Sequence, residues 1–220
     1  IFCDGMPSVP SKRTLLEALA KKGFWVFHPR YRGTWESGGK FLQKSPEQDI
    51  LDIIDELPKG FTDLWNKQKY QVHFTKLYLF GGSFGGPAAI LGSRDSRVTK
   101  AIAVCPVVDW NKLGKAEPLS WLKIFLRDGY GNAYRFHDKD WQKLGHSTFY
   151  NPMSATGQLD GAKLLFIHAK DDDSVPYLTT KMLADKIKAK LITLPRGGHL
   201  SSTIILKPTL WKKVSAFLKS

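Results

Sequence analysis

The stretch Gly81-Gly82-Ser83-Phe84-Gly85-Gly86 lies between the apolar run Leu77-Tyr78-Leu79-Phe80 and the run Pro87-Ala88-Ala89-Ile90-Leu91. The pattern predicts a buried strand, a sharp turn with Ser83 at its apex, and a helix. So tight a turn leaves no room for a Cβ two residues away on either side, which explains glycine at positions 81 and 85. The hydroxyl then projects above the sheet, where a base can reach it. A glycine-rich loop that only connects two core elements has the same pattern.

The length and composition of the chain indicate a single α/β domain over residues 1–220. The 220 residues are 42% hydrophobic and 12% aromatic, with no break in composition. No apolar run approaches the roughly 18 residues of a membrane span, and the start lacks the flanks of a signal peptide, so we expect no membrane partner. Cys3 and Cys105 are too few for a disulfide framework, which favours a cytoplasmic location. The chain begins at Ile1 inside a predicted strand. The sequence does not indicate whether further residues precede Ile1.

The charge of the chain is strongly basic, with 33 Lys and Arg against 20 Asp and Glu and a net charge of +13. The lysines are spread over predicted helix faces, and no nucleic-acid-binding motif accompanies them. We therefore expect a solvated basic surface and no nucleic-acid partner, with docking of an acidic partner as the alternative. The sequence does not indicate the oligomeric state.

Short apolar strands alternate with amphipathic helices along the chain. Ser11 and Gly23 bound one predicted helix over residues 12–22, and Ser45-Pro46 begins a second. Strands that are apolar on both faces favour a mostly parallel sheet of about six strands, flanked by helices. The predicted strands are Ile1–Cys3, Phe24–His28, Lys76–Phe80, Ala101–Cys105, Leu164–His168 and Lys190–Leu194.

The segment 110–150 interrupts this alternation. It is rich in aromatic residues, among them Trp121, Phe125 and Trp141, and is too long for an ordinary connection. We interpret it as an inserted lid or cap. A peripheral helical elaboration that touches no substrate is the alternative.

A serine nucleophile needs an imidazole that accepts its proton, and His199 is the best candidate. It follows the last predicted strand through Pro195-Arg196-Gly197-Gly198, at the edge of the sheet where Ser83 is expected. His28 and His168 end apolar strands, and His73 precedes one. His137 and His146 lie in the segment 110–150. We interpret these five as packed or surface histidines.

The carboxylate that orients the imidazole is expected among Asp171, Asp172 and Asp173, which follow the strand ending at His168. The chain order of serine, acid and histidine is the order expected when the serine lies on such a strand–turn–helix elbow. Acidic residues at a helix start and a hard-metal site are competing interpretations. No second cluster supplies further metal ligands, so we predict no metal and no cofactor.

The tetrahedral intermediate of acyl transfer needs two backbone donors. One is expected from Phe84, because it follows the serine at the start of a helix. The other is expected from the loop Asp4-Gly5-Met6-Pro7, and Met6 is the predicted donor.

These motifs together resemble the α/β-hydrolase superfamily, and within it the catalytic domain of prolyl-oligopeptidase-like serine hydrolases, over nearly the whole chain. Gly81 to Gly86 is similar to the G-G-S-Y-G-G elbow, Pro29 to Gly33 to the N-Y-R-G-S loop, and Gly197-Gly198-His199 to the terminal G-x-G-H. The segment from His168 to Pro176 resembles H-G-x-x-D-x-x-V-P. This match implies that Asp172 is the catalytic acid.

The resemblance also has departures. Asp4 stands where many relatives have histidine, and Ala169 replaces a glycine. Relatives with oligopeptidase activity carry a β-propeller or another N-terminal domain, which these 220 residues do not provide, so the resemblance favours an esterase or a small acyl hydrolase. The expected substrate is a small-molecule ester. A peptidase acting on short peptides and a non-catalytic binding protein on the same scaffold remain the alternatives.

Overall fold

A parallel β-sheet forms the centre of the protein. The computed structural model describes residues 1–220. The strands are β1 (Phe2–Cys3), β2 (Phe61–Thr62), β3 (Lys69–Tyr70), β4 (Leu77–Gly82), β5 (Val98–Val104), β6 (Leu164–Ala169) and β7 (Lys190–Leu194). Five of them pair in parallel in the spatial order β1-β4-β5-β6-β7, and β2 and β3 form a separate antiparallel pair. The predicted α/β class is confirmed.

Helices cover both faces of this sheet. They are α1 (Arg13–Ala20), α2 (Pro46–Glu56), α3 (Gly85–Gly92), α4 (Leu119–Tyr130), α5 (Asp138–Gln142), α6 (Tyr177–Ile187) and α7 (Pro208–Lys219). Ala101 and Ala103 of β5 face the core that α2, α3, α4 and α6 share. Ile102 and Val104 face the core that α1 and α7 share. This alternation explains why the strands are apolar throughout.

The prediction of a buried strand at residues 24–28 is wrong, and the main sheet has five strands rather than about six. Phe27 accepts one backbone hydrogen bond from Phe2 at 2.8 Å, but no ladder forms, and Trp25 is 61% exposed. Strand β1 is two residues long and offers little backbone to pair with. The aromatic side chains instead pack against the β2–β3 pair, Phe27 on Phe61 and Trp25 on Tyr70.

The two helices predicted from capping signals are present with small changes. Helix α1 is shorter than the predicted 12–22, and its N-cap is Lys12 rather than Ser11. Helix α2 begins at Pro46 with Ser45 at the N-cap. The Ser45 hydroxyl donates to the Glu47 carboxylate instead of accepting from a backbone amide. None of the helices combines the length and the apolar composition needed to cross a bilayer.

The segment 110–150 is helical. It contains α4 and α5, and α4 buries Leu122 and Leu126 in the core beside α2 and α3. On its other face, Trp121, Ile124 and Phe125 are exposed. The segment therefore packs on the body of the domain and presents an apolar outer face.

Candidate active site

Ser83 lies at the apex of the turn between β4 and α3. Its backbone φ is +51°, a left-handed conformation that non-glycine residues seldom adopt. Its N–H donates to the Val104 carbonyl at 2.9 Å, and its own carbonyl accepts from Gly86 at 3.0 Å and from Val107 at 3.2 Å. These bonds to the elbow, to the last residue of β5 and to the chain after it hold the strained backbone in place. The sharp turn predicted from the sequence is present.

The flanking glycines are required by close backbone contacts. A Cβ on Gly81 would lie 2.1 Å from the Gly85 carbonyl oxygen, and a Cβ on Gly85 would lie 2.0 Å from the Cys3 carbonyl oxygen. Both distances are far below van der Waals contact. Crowding within the turn, the reason given from the sequence, therefore explains Gly81, whereas Gly85 is required by the close approach of strand β1.

Asp172 and His199 are in direct contact. The His199 Nδ1–H donates to Asp172 Oδ2 at 2.8 Å, while Asp172 Oδ1 accepts from the backbone N–H groups of Ser174 at 3.1 Å and Val175 at 2.9 Å. Because Nδ1 faces a carboxylate, it carries the proton, and Nε2 is left with the free lone pair that a general base needs.

His168 also binds Asp172, a contact that the sequence did not reveal. Its Nε2 lies 3.1 Å from Asp172 Oδ2 and 3.0 Å from the Val175 carbonyl, and its Nδ1 lies 3.0 Å from the Thr180 hydroxyl. Nε2 faces two acceptors and therefore carries the proton, so Thr180 donates to Nδ1. The spacing of four residues between His168 and Asp172, at the end of a buried strand, is the signal that could have indicated this pair.

The three adjacent aspartates have different contacts. Asp172 has a fully buried side chain, and Asp171 accepts from the N–H groups of Gly197 at 3.1 Å and Gly198 at 2.8 Å. Asp173 is exposed. Asp171 therefore holds the loop before His199, and only Asp172 contacts the imidazole.

The ionisation of this pair favours a carboxylate beside an imidazole. Burial alone would raise the pKa of Asp172, but hydrogen bonds from the two imidazoles and from a backbone amide hold it well below its usual value. Burial alone would lower the pKa of His199, but the hydrogen bond and charge of Asp172 raise it above 6.5. The charges of Glu117 and Asp173 add to this rise.

Ser83 and His199 lie on loops at the same edge of the sheet, because both follow the carboxyl ends of parallel strands. The chain after His199 runs back to the elbow, where a Cβ on Gly82 would lie 2.3 Å from Ser202 Oγ. The Ser83 hydroxyl makes no hydrogen bond to His199 in this structure, whereas the bond from His199 to Asp172 is formed. Such bonds are often long before substrate binds.

Two backbone amides beside Ser83 are available to an oxyanion. Neither Met6 nor Phe84 donates its N–H to another backbone group or to a side chain, and both residues line one cavity with Ser83. The peptide of Phe84 is held by Tyr150, whose hydroxyl donates to the Phe84 carbonyl at 2.6 Å. The arrangement leaves two donors directed to no partner within the protein.

Asp4 anchors the loop that carries Met6. Its carboxylate accepts hydrogen bonds from Gly5 N–H at 2.8 Å, the Ser8 hydroxyl at 2.6 Å and His28 Nε2 at 3.1 Å. Burial alone would raise the pKa of Asp4, but the bonds from His28 and Ser8 lower it. The residue that departs from the family's histidine therefore fixes the loop as a carboxylate.

The cavity at Ser83 is small and is lined in part by the segment 110–150. Its volume is about 10 Å³, and Trp110, Leu113, Glu117 and Leu122 of that segment line it. This is space for one water, so an acyl group requires these side chains to move. A larger apolar groove of about 400 Å³, lined by Trp25, lies elsewhere and includes none of the candidate residues.

Cys105, Asp172 and His199 place possible metal-ligating atoms within 4.8 Å of one another. Burial raises the pKa of Cys105 to about 12, so the sulfur is a thiol at neutral pH. Both oxygens of Asp172 already accept hydrogen bonds. Because His199 Nδ1–H donates to Asp172, these two groups bind each other and present no free lone pair on Nδ1 to a metal.

Comparison with known proteins gives the family. The sequence profile of the prolyl oligopeptidase family matches residues 10–220. The chain belongs to this family. Family membership agrees with the fold and with the elbow geometry, and together they support a serine hydrolase of the α/β fold. No curated protein sequence matches the chain.

Solved structures with the same fold are related only distantly in sequence to this member of the prolyl oligopeptidase family. The esterase Pf2001 of Pyrococcus furiosus aligns with TM-score 0.69 and 19% identity, over 99% of this chain and 79% of that chain. The monoacylglycerol lipase of Paleococcus ferrophilus aligns with TM-score 0.64 and 16% identity, over 99% and 91%. DcsB in complex with its substrate analogue aligns with TM-score 0.71 and 17% identity, over 99% and 89%. These similarities establish the α/β-hydrolase fold.

Proposed function

We propose that the protein hydrolyses carboxylic esters through an acyl-enzyme formed on Ser83. His199 Nε2 takes the proton of the Ser83 hydroxyl as its oxygen attacks the ester carbonyl, and Asp172 holds the imidazole in the required tautomer. His199 then protonates the leaving alcohol. Water activated by His199 attacks the acyl-enzyme, and the carboxylic acid leaves with Ser83 restored. The steps use only groups of the chain, the ester and one water molecule.

The observation that carries this proposal is the pair of unpartnered N–H groups, of Met6 and Phe84, in the cavity that also holds Ser83. Two fixed donors beside a strained serine suit the negative oxygen of a tetrahedral intermediate. Most of the cavity wall is apolar, which favours a substrate with an apolar acyl or alcohol group. The segment 110–150 then acts as a cap that opens to admit it.

A peptidase acting on short peptides is the second candidate, and membership of the prolyl oligopeptidase family favours it. The two activities share the same chemistry and differ in the leaving group. Turnover of an aminoacyl amide that rivals the turnover of the aryl ester with the same acyl group would favour the peptidase.

Labelling with a fluorophosphonate tests the proposal directly. We expect one phosphonyl adduct per chain, located on Ser83 by peptide mass spectrometry, because only an activated serine reacts with this probe. The variant Ser174→Ala is the matched control, since it removes another hydroxyl from the same cavity and keeps the backbone amide that binds Asp172. It should label like the unchanged protein. If the unchanged protein is not labelled, the result would favour a non-catalytic binding protein.

The pH dependence of kcat/KM is expected to report His199. The general base acts in its neutral form, and its pKa is raised in the folded protein, so activity should rise with pH through a midpoint above 6.5. The measurement is kcat/KM for a neutral aryl ester between pH 5 and pH 9. A midpoint below 6.5 would contradict the assigned environment of His199.

A further inference from the structure

The cavity at Ser83 contains one charged side chain, and that side chain is acidic. Of the ten residues that line it, seven are hydrophobic and two are serines, and the remaining one is Glu117. Removing a carboxylate from water and burying it against apolar atoms costs free energy. An uncharged ester offers the carboxylate no ionic contact that would offset this cost. A substrate that carries a cation would recover that cost.

Glu117 has no cationic partner within the protein. It takes part in none of the ion pairs of the structure, although the chain has 33 Lys and Arg against 20 Asp and Glu. Lys123 and Arg127, on the helix that follows it, both pair with Asp138 instead. Glu117 is half-buried, and so it remains available to a ligand while being partly screened from water.

Glu117 also acts electrostatically on the catalytic centre. Burial alone would lower the pKa of His199, and Asp172 raises it most strongly, but the charge of Glu117 contributes to the rise. Because Glu117 lines the same cavity as Ser83, a cation bound to it would sit beside the reacting ester. Such a cation would offset the field of Glu117 at His199 and return part of the base to its neutral form.

We propose that Glu117 is a subsite for an ammonium group of the substrate, so that the preferred substrates are esters whose acyl chain or alcohol carries a positive charge. The subsite rests on the proposed ester hydrolysis. The apolar wall holds the hydrocarbon part of such a substrate, and Glu117 accepts a charge-assisted hydrogen bond from the ammonium group or pairs with it as an ion.

Two matched pairs of esters test this subsite. On the acyl side, 4-nitrophenyl 6-aminohexanoate is compared with 4-nitrophenyl heptanoate, which replaces the ammonium by a methyl group. On the alcohol side, 2-(trimethylammonio)ethyl acetate is compared with 3,3-dimethylbutyl acetate. We expect the charged member of at least one pair to have a kcat/KM about five- to tenfold higher, the size of a partly exposed charged contact.

The variant Glu117→Gln keeps the size of the side chain and removes its charge. It should abolish this preference, measured as the ratio of kcat/KM within each pair of esters, and it should move the acidic limb of the pH profile to lower pH. The control Asp173→Asn removes a second charge that raises the pKa of His199 but does not line the cavity, and it should keep the preference.

The outcomes separate this inference from the proposed function. Ser83-dependent hydrolysis without a preference for either charged ester, or a preference that persists in Glu117→Gln, would overturn the subsite alone. Equal loss of preference in Asp173→Asn would also overturn it, because the effect would then be a long-range field rather than a contact. No Ser83-dependent hydrolysis of any of the four esters would overturn the ester hydrolase, and the subsite with it.

Discussion

The variant Ser83→Ala is expected to hydrolyse an aryl ester about 10⁴-fold more slowly than the unchanged protein, or slower still. Without the hydroxyl no acyl-enzyme forms, and the remaining rate comes from water attacking an ester held by the two amides. The fold should be retained, because the backbone of residue 83 is held by main-chain hydrogen bonds that alanine also makes. The measurements are kcat/KM and the thermal unfolding midpoint.

The control for this variant is Ser174→Ala, which removes a hydroxyl from the same cavity. It should stay within about threefold of the unchanged protein, since its hydroxyl has no part in acyl transfer. A Ser83→Ala protein that is folded and keeps more than a tenth of the activity would exclude the acyl-enzyme mechanism.

The variant Asp172→Asn is expected to lower kcat/KM by about 10⁴-fold. The amide oxygen can still accept from the Ser174 and Val175 N–H groups, which leaves the NH₂ group facing the two imidazoles. His199 then has to present an unprotonated Nδ1 to that donor, so its Nε2 carries the proton and no longer accepts one from serine. Acyl transfer therefore lacks its general base, although asparagine has nearly the same shape as aspartate.

A stability cost accompanies this loss. His168 Nε2–H is held between Asp172 and the Val175 carbonyl, and it would face an N–H donor in place of a carboxylate. We expect the free energy of unfolding to fall by about 1 to 3 kcal/mol, measured by denaturant titration. Asp173→Asn, at the exposed neighbouring position, is the control and should change both quantities little. If Asp173→Asn lost more activity than Asp172→Asn, the assignment of Asp172 would be contradicted.

Elements whose cause is local were predictable from the sequence. The turn at Ser83 was identified by its glycines, because the close contact between Gly81 and Gly85 lies within the turn, although the Cys3 contact of Gly85 is distant in the chain. The order of strands and helices, and the placement of His199 after β7, follow from apolar runs and capping residues. Asp172 was distinguished from Asp171 and Asp173 by the resemblance to the family pattern.

The strand predicted at residues 24–28 failed for a different reason. An apolar aromatic run fits a buried strand, but a strand needs a neighbour with enough backbone to form a ladder. Strand β1 supplies two residues, and Trp25 is left exposed. Sequence periodicity contains no information about the length of a strand that pairs from elsewhere in the chain.

The sequence by itself determined the α/β class, the strained serine turn and the identity of the residues that follow the strand ends. Only the tertiary structure decided that His168 shares Asp172 with His199, that the amides of Met6 and Phe84 are left without partners, and that Glu117 borders the cavity. The physical reason is how far apart in the chain the interacting residues lie. Turn strain and helix capping act over a few neighbouring residues, whereas these contacts join loops whose paths depend on the packing of the whole sheet edge.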